Sequence, residues 1–414
     1  MSAVFEAIEY YNVHIAPTMI ATGVTGEGSP YWMPPSTVSL LPRSFTQNIV
    51  CTSLSHRILQ SSRAAPSHQV VLARRLQRHR GDALRALATE LSKPEHQTSD
   101  LTLASIILLL LVEIQHATEP PDWRHHSKGA AVMIDMKGGL GNVVLSSPDL
   151  RHLFRYYVLL EIIGTTTSPH VDIDSAGRQL EIISLLPVLF GNGLMTCFPC
   201  PPDLLAEVIR INHLRSRFCT VTATEAPAAM LQEAKHAAAL DILRRARAFP
   251  TDKWAAEVFV GLGIGDTPAS QAGFSSWHAI AAIYQSAIAI YCMASLFQEP
   301  ELCASVGTLP LVPWDALASA RAACSSVLLN RLREISRCSQ LRDLVLWPLF
   351  VAGVEAEDDA TKQFITGELQ RISNALGGAA PLVARDLLQR RVWRLGRGRR
   401  SWDGLFDQSY VFVV

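Results

Sequence analysis

The sequence has no surplus of charge of either sign. Its 414 residues carry 37 basic and 37 acidic side chains, a formal net charge of +0, so no global field draws the chain onto a polyanion such as DNA. Long apolar runs are also missing. The run Ile106–Val112 stops at Glu113, far short of the roughly 18 residues of a membrane-spanning helix, and no membrane association is expected. The opening MSAVFEAIEYY places Glu6 and Glu9 where a signal peptide would carry basic and then apolar residues, so a cytoplasmic address is expected. Cysteine is sparse and scattered: Cys51, Cys197, Cys200, Cys219, Cys292, Cys303, Cys324 and Cys338 form no disulfide framework. Cys197 and Cys200 have zinc-like CxxC spacing, but no second pair lies nearby, and the prolines at 199, 201 and 202 make this a loop before a helix.

What is present is helical periodicity. Apolar residues make up 49% of the chain and charged ones 18%, which excludes a disordered regulator. The first 45 residues hold a short helical pattern and then a Gly/Pro/Ser-rich stretch, Gly23 to Pro42, that reads as an extended arm. From residue 46 to 414 apolar side chains recur at helical spacing, punctuated by Pro and Gly, and no strand alternation of any length appears. Three segments are apolar on every side: the helix after Asp100, which can cap it, the stretch Leu153–Ile163, and the charge-free Ile280–Phe297. Helices without a polar face must be surrounded by others. An all-α fold is predicted, a single large helical bundle from 46 to 414 preceded by the 1–45 arm.

Several stretches resemble the regulatory domain of fungal zinc-cluster transcription factors, the fungal-specific transcription factor domain family. They are LLLLVEIQHATEPPDWRHHSKGAAVMIDMKGG (108–139), LLPVLFGNG followed by PPDLLAEVIRINHL (185–214), IYQSAIAIY (283–291), WPLFVAGVEAEDD (347–359), and VW followed by SWDGLF (392–406). Their order and spacing over most of the chain carry the resemblance. It implies an all-helical domain that usually follows a DNA-binding zinc cluster. The six closely spaced cysteines of that cluster are not in this sequence, so no direct nucleic-acid binding is expected, and the scaffold either regulates without DNA contact or serves another use. The basic group Arg390, Arg391, Arg394, Arg397, Arg399 and Arg400 around Trp393 reads as a solvated helix end.

The other use is suggested by Lys235, one of only six lysines. On a helix it faces Leu231 at i−4, Ala238 and Ala239 at i+3 and i+4, and Ile242 at i+7, and an ammonium on an apolar stripe needs an anion. Glu113 and Glu161 sit in equally apolar settings, and two carboxylates facing one cavity can hold Mg²⁺ while the lysine takes a diphosphate. A buried Glu–Lys or Glu–Arg pair that fixes helix register accounts for the same residues. The combination resembles noncanonical fungal humulene-type sesquiterpene cyclases, whose LxxxK spacing Leu231 and Lys235 match. That resemblance implies a Mg²⁺-dependent lyase of secondary metabolism acting on farnesyl diphosphate, with Lys235 catalytic, Leu231 and Lys235 binding substrate, and Glu113 and Glu161 holding metal. There is no DDxxD or DxDD motif, and no GxxxxGK[ST], GxSxG or HExxH, so ATP, serine-hydrolase and zincin chemistries fall away. Two expectations follow. The first is a terpene cyclase whose partner is farnesyl diphosphate, as a monomer or homodimer. The alternative is a transcriptional regulator or co-regulator, which would be nuclear.

Overall fold

The computed structural model describes residues 2–21, 26–60, 66–116, 123–169, 174–194, 196–220, 228–262, 268–297, 313–337, 341–395 and 401–413. Among them are seventeen α-helices and no strands. The first seven are α1 (Ser2–His14), α2 (Arg43–Gln60), α3 (Pro66–Leu91), α4 (Asp100–His116), α5 (Trp123–Met136), α6 (Leu140–Ser146) and α7 (Arg151–Thr166). The short α8 (Gln179–Ile182) and α9 (Leu186–Phe190) lead to α10 (Pro202–Thr220), α11 (Ala228–Arg247), α12 (Thr251–Gly261) and α13 (Pro268–Leu296). The last four are α14 (Trp314–Ile335), α15 (Leu346–Glu355), α16 (Asp359–Leu376) and α17 (Ala380–Arg390). The fold is all-α.

Two helices organise the packing. Helix α4 is enclosed by α2, α3, α5 and α7, and α13 by α10, α11, α12, α14 and α15. Helix α10 touches both α7 and α13 and joins the two groups, so one apolar core runs from Ala7 to Val413. The 24 residues Gly273–Leu296 of α13 are long and apolar enough to cross a membrane, yet most of that stretch is buried among neighbouring helices. A core helix surrounded on all sides needs the same composition.

The segment read as an arm is packed into this core. Ala7, Ile8 and Tyr11 of α1 are buried, as are Ile15, Ile20, Tyr31 and Val38 beyond it. Two hydrogen bonds between Asn12 and Met33, at 2.7 and 2.9 Å, fold the segment back on itself, and the Ala21 amide donates to Thr196 O. Asp100 is the first residue of α4, and its carboxylate is recruited by Lys137 and the Ser147 hydroxyl. Helix α16 is closed at both ends. Asp358 accepts from the Thr361 amide, and Gly377 takes φ +60°, placing its amide on Ser373 O against the His56 ring.

Candidate functional site

One stripe of α4 and one of α7 face each other across an apolar cavity. Leu108, Leu111 and Gln115 lie at i, i+3 and i+7 on α4; Leu153, Tyr156 and Leu160 repeat that spacing on α7. The N-terminal segment closes one side with Tyr11, Ile15 and Met19, and Pro381 of α17 and Val413 near the C-terminus close another. The cavity measures about 100 Å³, and about 910 Å³ once its open mouth is included. Among the described residues, no Lys, Arg, His, Asp or Glu lines it. The Tyr11 hydroxyl donates to the Met19 sulfur at 3.6 Å, a weak acceptor.

Of the sequence-predicted residues, Glu113, Glu161 and Lys235 do not line this cavity. Glu113 lies on α4, where one carboxylate oxygen takes Arg80 at 2.7 Å and the other takes His126 at 2.9 Å. Burial raises its pKa, but those two partners more than offset this and hold it below its ordinary value of 4.5. Glu161, buried on α7, accepts a hydrogen bond from the Ser127 hydroxyl. Both acids therefore serve protein partners, and among the described residues no group of three or more His, Cys, Asp or Glu side chains is placed to hold a metal ion. With both Glu113 oxygens already taken by Arg80 and His126, this donor set does not fit Mg²⁺. Lys235 is half-buried on α11, which packs chiefly on α10 and α13, away from the α3–α5 surroundings of Glu113. The Leu231 side chain lies outside the described residues. Cys197 and Cys200 are buried in a loop; Tyr156 donates to Cys197 at 2.9 Å. Of the basic group near the C-terminus, Arg390 pairs with Asp386 and Arg391 with Asp407, while 396–400 are outside the described residues.

A second centre lies at the C-terminal end of α7. Arg215 of α10, fully buried, donates to Thr165 O at 2.9 Å, Ser168 O at 3.0 Å and the Tyr291 hydroxyl at 2.8 Å, and it is ion-paired with Asp403. The guanidinium sits where a helix dipole favours a cation. Burial alone would lower its pKa, but Tyr291 and Asp403 raise it, so the charge is kept. Trp402 donates to Thr166 O at 2.7 Å and Trp347 to the Thr166 hydroxyl at 2.8 Å. Tyr410 exchanges hydrogen bonds with Thr167, and Asn212 links Ile162 O to Gln179. Burial pushes the Tyr291 phenol up to about 12, with Arg215 opposing, so Tyr291 stays a neutral donor to Asn212. Sequence reasoning did not single out Arg215. Its signal was the stripe Leu204, Val208, Ile211 and Arg215, a charge in a core position.

Comparison with known proteins decides what kind of molecule this scaffold is. Residues 6–408 match the family described as the fungal specific transcription factor domain. The chain belongs to that family. Over 381 residues, 91% of this chain, the domain is 28% identical to the phomenoic acid biosynthesis cluster-specific transcriptional regulator of Leptosphaeria maculans. It spans 66% of that relative's length. No solved structure matches it.

These matches overturn the cyclase expectation. The family is a transcription factor domain and the relative is a transcriptional regulator, so the lyase, terpene-cyclase and magnesium assignments are withdrawn. The expectation of farnesyl diphosphate as sole partner, with nucleic acid excluded, falls with them. The physical reason is visible in the site. Among the described residues the apolar chamber has no cation to receive a diphosphate, and Lys235 and the two glutamates do not line it.

Proposed function

We propose that this domain serves a transcriptional regulator of a biosynthetic gene cluster, acting in the nucleus with nucleic acid, or the proteins assembled on it, as partner. The observation that carries this reading is the family match from residue 6 to residue 408. The extended similarity to a cluster-specific regulator supports the choice of target genes. A core built continuously from α1 to the C-terminal segment fits a domain that works as one body.

The test is transcriptional. The 414-residue chain, fused to a heterologous DNA-binding domain, is expected to change reporter transcription several-fold in a fungal host, and deletion of its gene to change transcripts of neighbouring biosynthetic genes. A fusion that is expressed and folded but inert, together with unchanged transcripts in the deletion strain, overturns the proposal.

A further inference from the structure

The α4–α7 cavity has the features of a site for a small molecule, and those features define the guest. Its walls are aliphatic and aromatic, so the body of the guest must be apolar. Among the described residues no Lys, Arg, His, Asp or Glu lines it, so a charged guest would lose its hydration with no ionised partner there in return. One polar handle stands out. The Tyr11 hydroxyl is buried, and burial raises its pKa, so it remains a protonated donor. Its acceptor is the thioether of Met19 at 3.6 Å, which also lines the cavity. A ligand oxygen is a far better acceptor than sulfur and would take that proton.

We propose that the cavity between α4, α7 and the N-terminal segment binds a neutral, mainly apolar small molecule carrying a carbonyl or ether oxygen, which accepts a hydrogen bond from Tyr11. The guest would pack against Leu108, Leu111 and Leu160 and touch residues near both ends of the chain, Ile15 and Val413. The site stands independently of the transcriptional reading, because it is tested on purified protein.

The experiment uses the 414-residue chain, titrated by calorimetry with β-tetralone, a neutral bicyclic ketone, with tetralin, its hydrocarbon counterpart, and with β-naphthoate, a charged molecule of similar size. Saturable binding of the ketone is expected, with tetralin weaker and naphthoate weaker still. Tyr11→Phe should weaken the ketone about 3- to 10-fold, the worth of one net hydrogen bond, and leave tetralin within about twofold. Leu111→Trp, at a half-buried wall position, should reduce both by about tenfold or more by filling the space, with circular dichroism confirming the fold. Absence of saturable ketone binding overturns the proposal, as does naphthoate binding as tightly as the ketone, or ketone affinity unchanged in both variants.

Discussion

Replacing Arg215 by Met tests whether the polar centre at the end of α7 holds the domain together. Met is similar in length and flexible, so the change removes the charge and its donors while leaving little void. The guanidinium side chain is 1% exposed and the Asp403 side chain 29%. Loss of the arginine deprives Thr165 O, Ser168 O and the Tyr291 hydroxyl of a donor and strands a partly shielded carboxylate. Thr166 O, which also accepts from Arg215 at 3.4 Å, keeps Trp402, which limits the damage. Breaking one side of a buried pair of this kind costs about 3–5 kcal/mol, a large part of the roughly 5–15 kcal/mol that holds a domain folded. Asp403→Asn should cost less, about 1–2 kcal/mol, because the cation keeps its carbonyl acceptors at the helix C-terminus and the amide oxygen still accepts. Trp402→Phe keeps most of the ring contact and loses one hydrogen bond, about 1 kcal/mol. Urea unfolding followed by tryptophan fluorescence reads the order directly, as midpoints at a common slope. Arg215→Met within about 1 kcal/mol of the parent, or Asp403→Asn costing more than Arg215→Met, would refute this account of the centre.

Two further perturbations follow from packing and protonation. Gly164, inside α7, has no room for a methyl group: an added Cβ would lie 2.5 Å from the Trp123 ring and 3.1 Å from Val411. Trp123 is anchored by its indole to Ser409 O, so Gly164→Ala should destabilise by about 1–3 kcal/mol and lower the melting temperature, whereas an unchanged melt would mean the ring can shift. His56 and His152 are each held down to about 4 from an ordinary 6.5, chiefly by burial, with His14 and Arg155 adding to it. The unfolded chain takes up these protons near pH 6.5 and the folded one only near 4. Stability is therefore full above 6.5 and falls between 6.5 and 4 by at most about 1.4 kcal/mol per pH unit for each group. A flat stability profile across that window, or one that His56→Gln leaves equally steep, would contradict the burial argument.

The helices were legible because their composition leaves one physical choice. A charge-free stretch such as Ile280–Phe297 or an apolar-all-round one such as Ile106–Val112 can only be interior, and α13 and α4 are. The fold class followed from these. The pairing of side chains did not. Glu113 meets Arg80 from α3, 33 residues earlier, and a helical wheel names the face of a residue without naming its neighbour. Lys235 shows the same limit. Ala239 and Ile242 are buried as the stripe predicts, yet the lysine itself is only half-buried, since its four-carbon stem can lie along apolar surface while the head reaches water. The Gly/Pro/Ser-rich segment looked like an arm because composition does not register that Tyr31 is buried or that Asn12 hydrogen-bonds to Met33.

The cavity and the polar centre are connected through α7 and the C-terminal segment. Leu153, Tyr156 and Leu160 face the cavity, while Thr165–Ser168 of the same helix and the turn after it bind Arg215 and Tyr410. Three residues past Tyr410, Val413 is a cavity wall. An apolar pocket of about 100 Å³ forgoes the contacts that a filled interior would make, and neighbouring side chains relax into such a space when they are free to. Here α7 and the C-terminal segment are tied at one end by a cation that cannot move without stranding its acceptors. A core that keeps both an apolar pocket and a buried charge, where apolar filling would serve stability better, is organised around something other than stability, and the guest proposed above, seated against Tyr11, is what the pocket would serve.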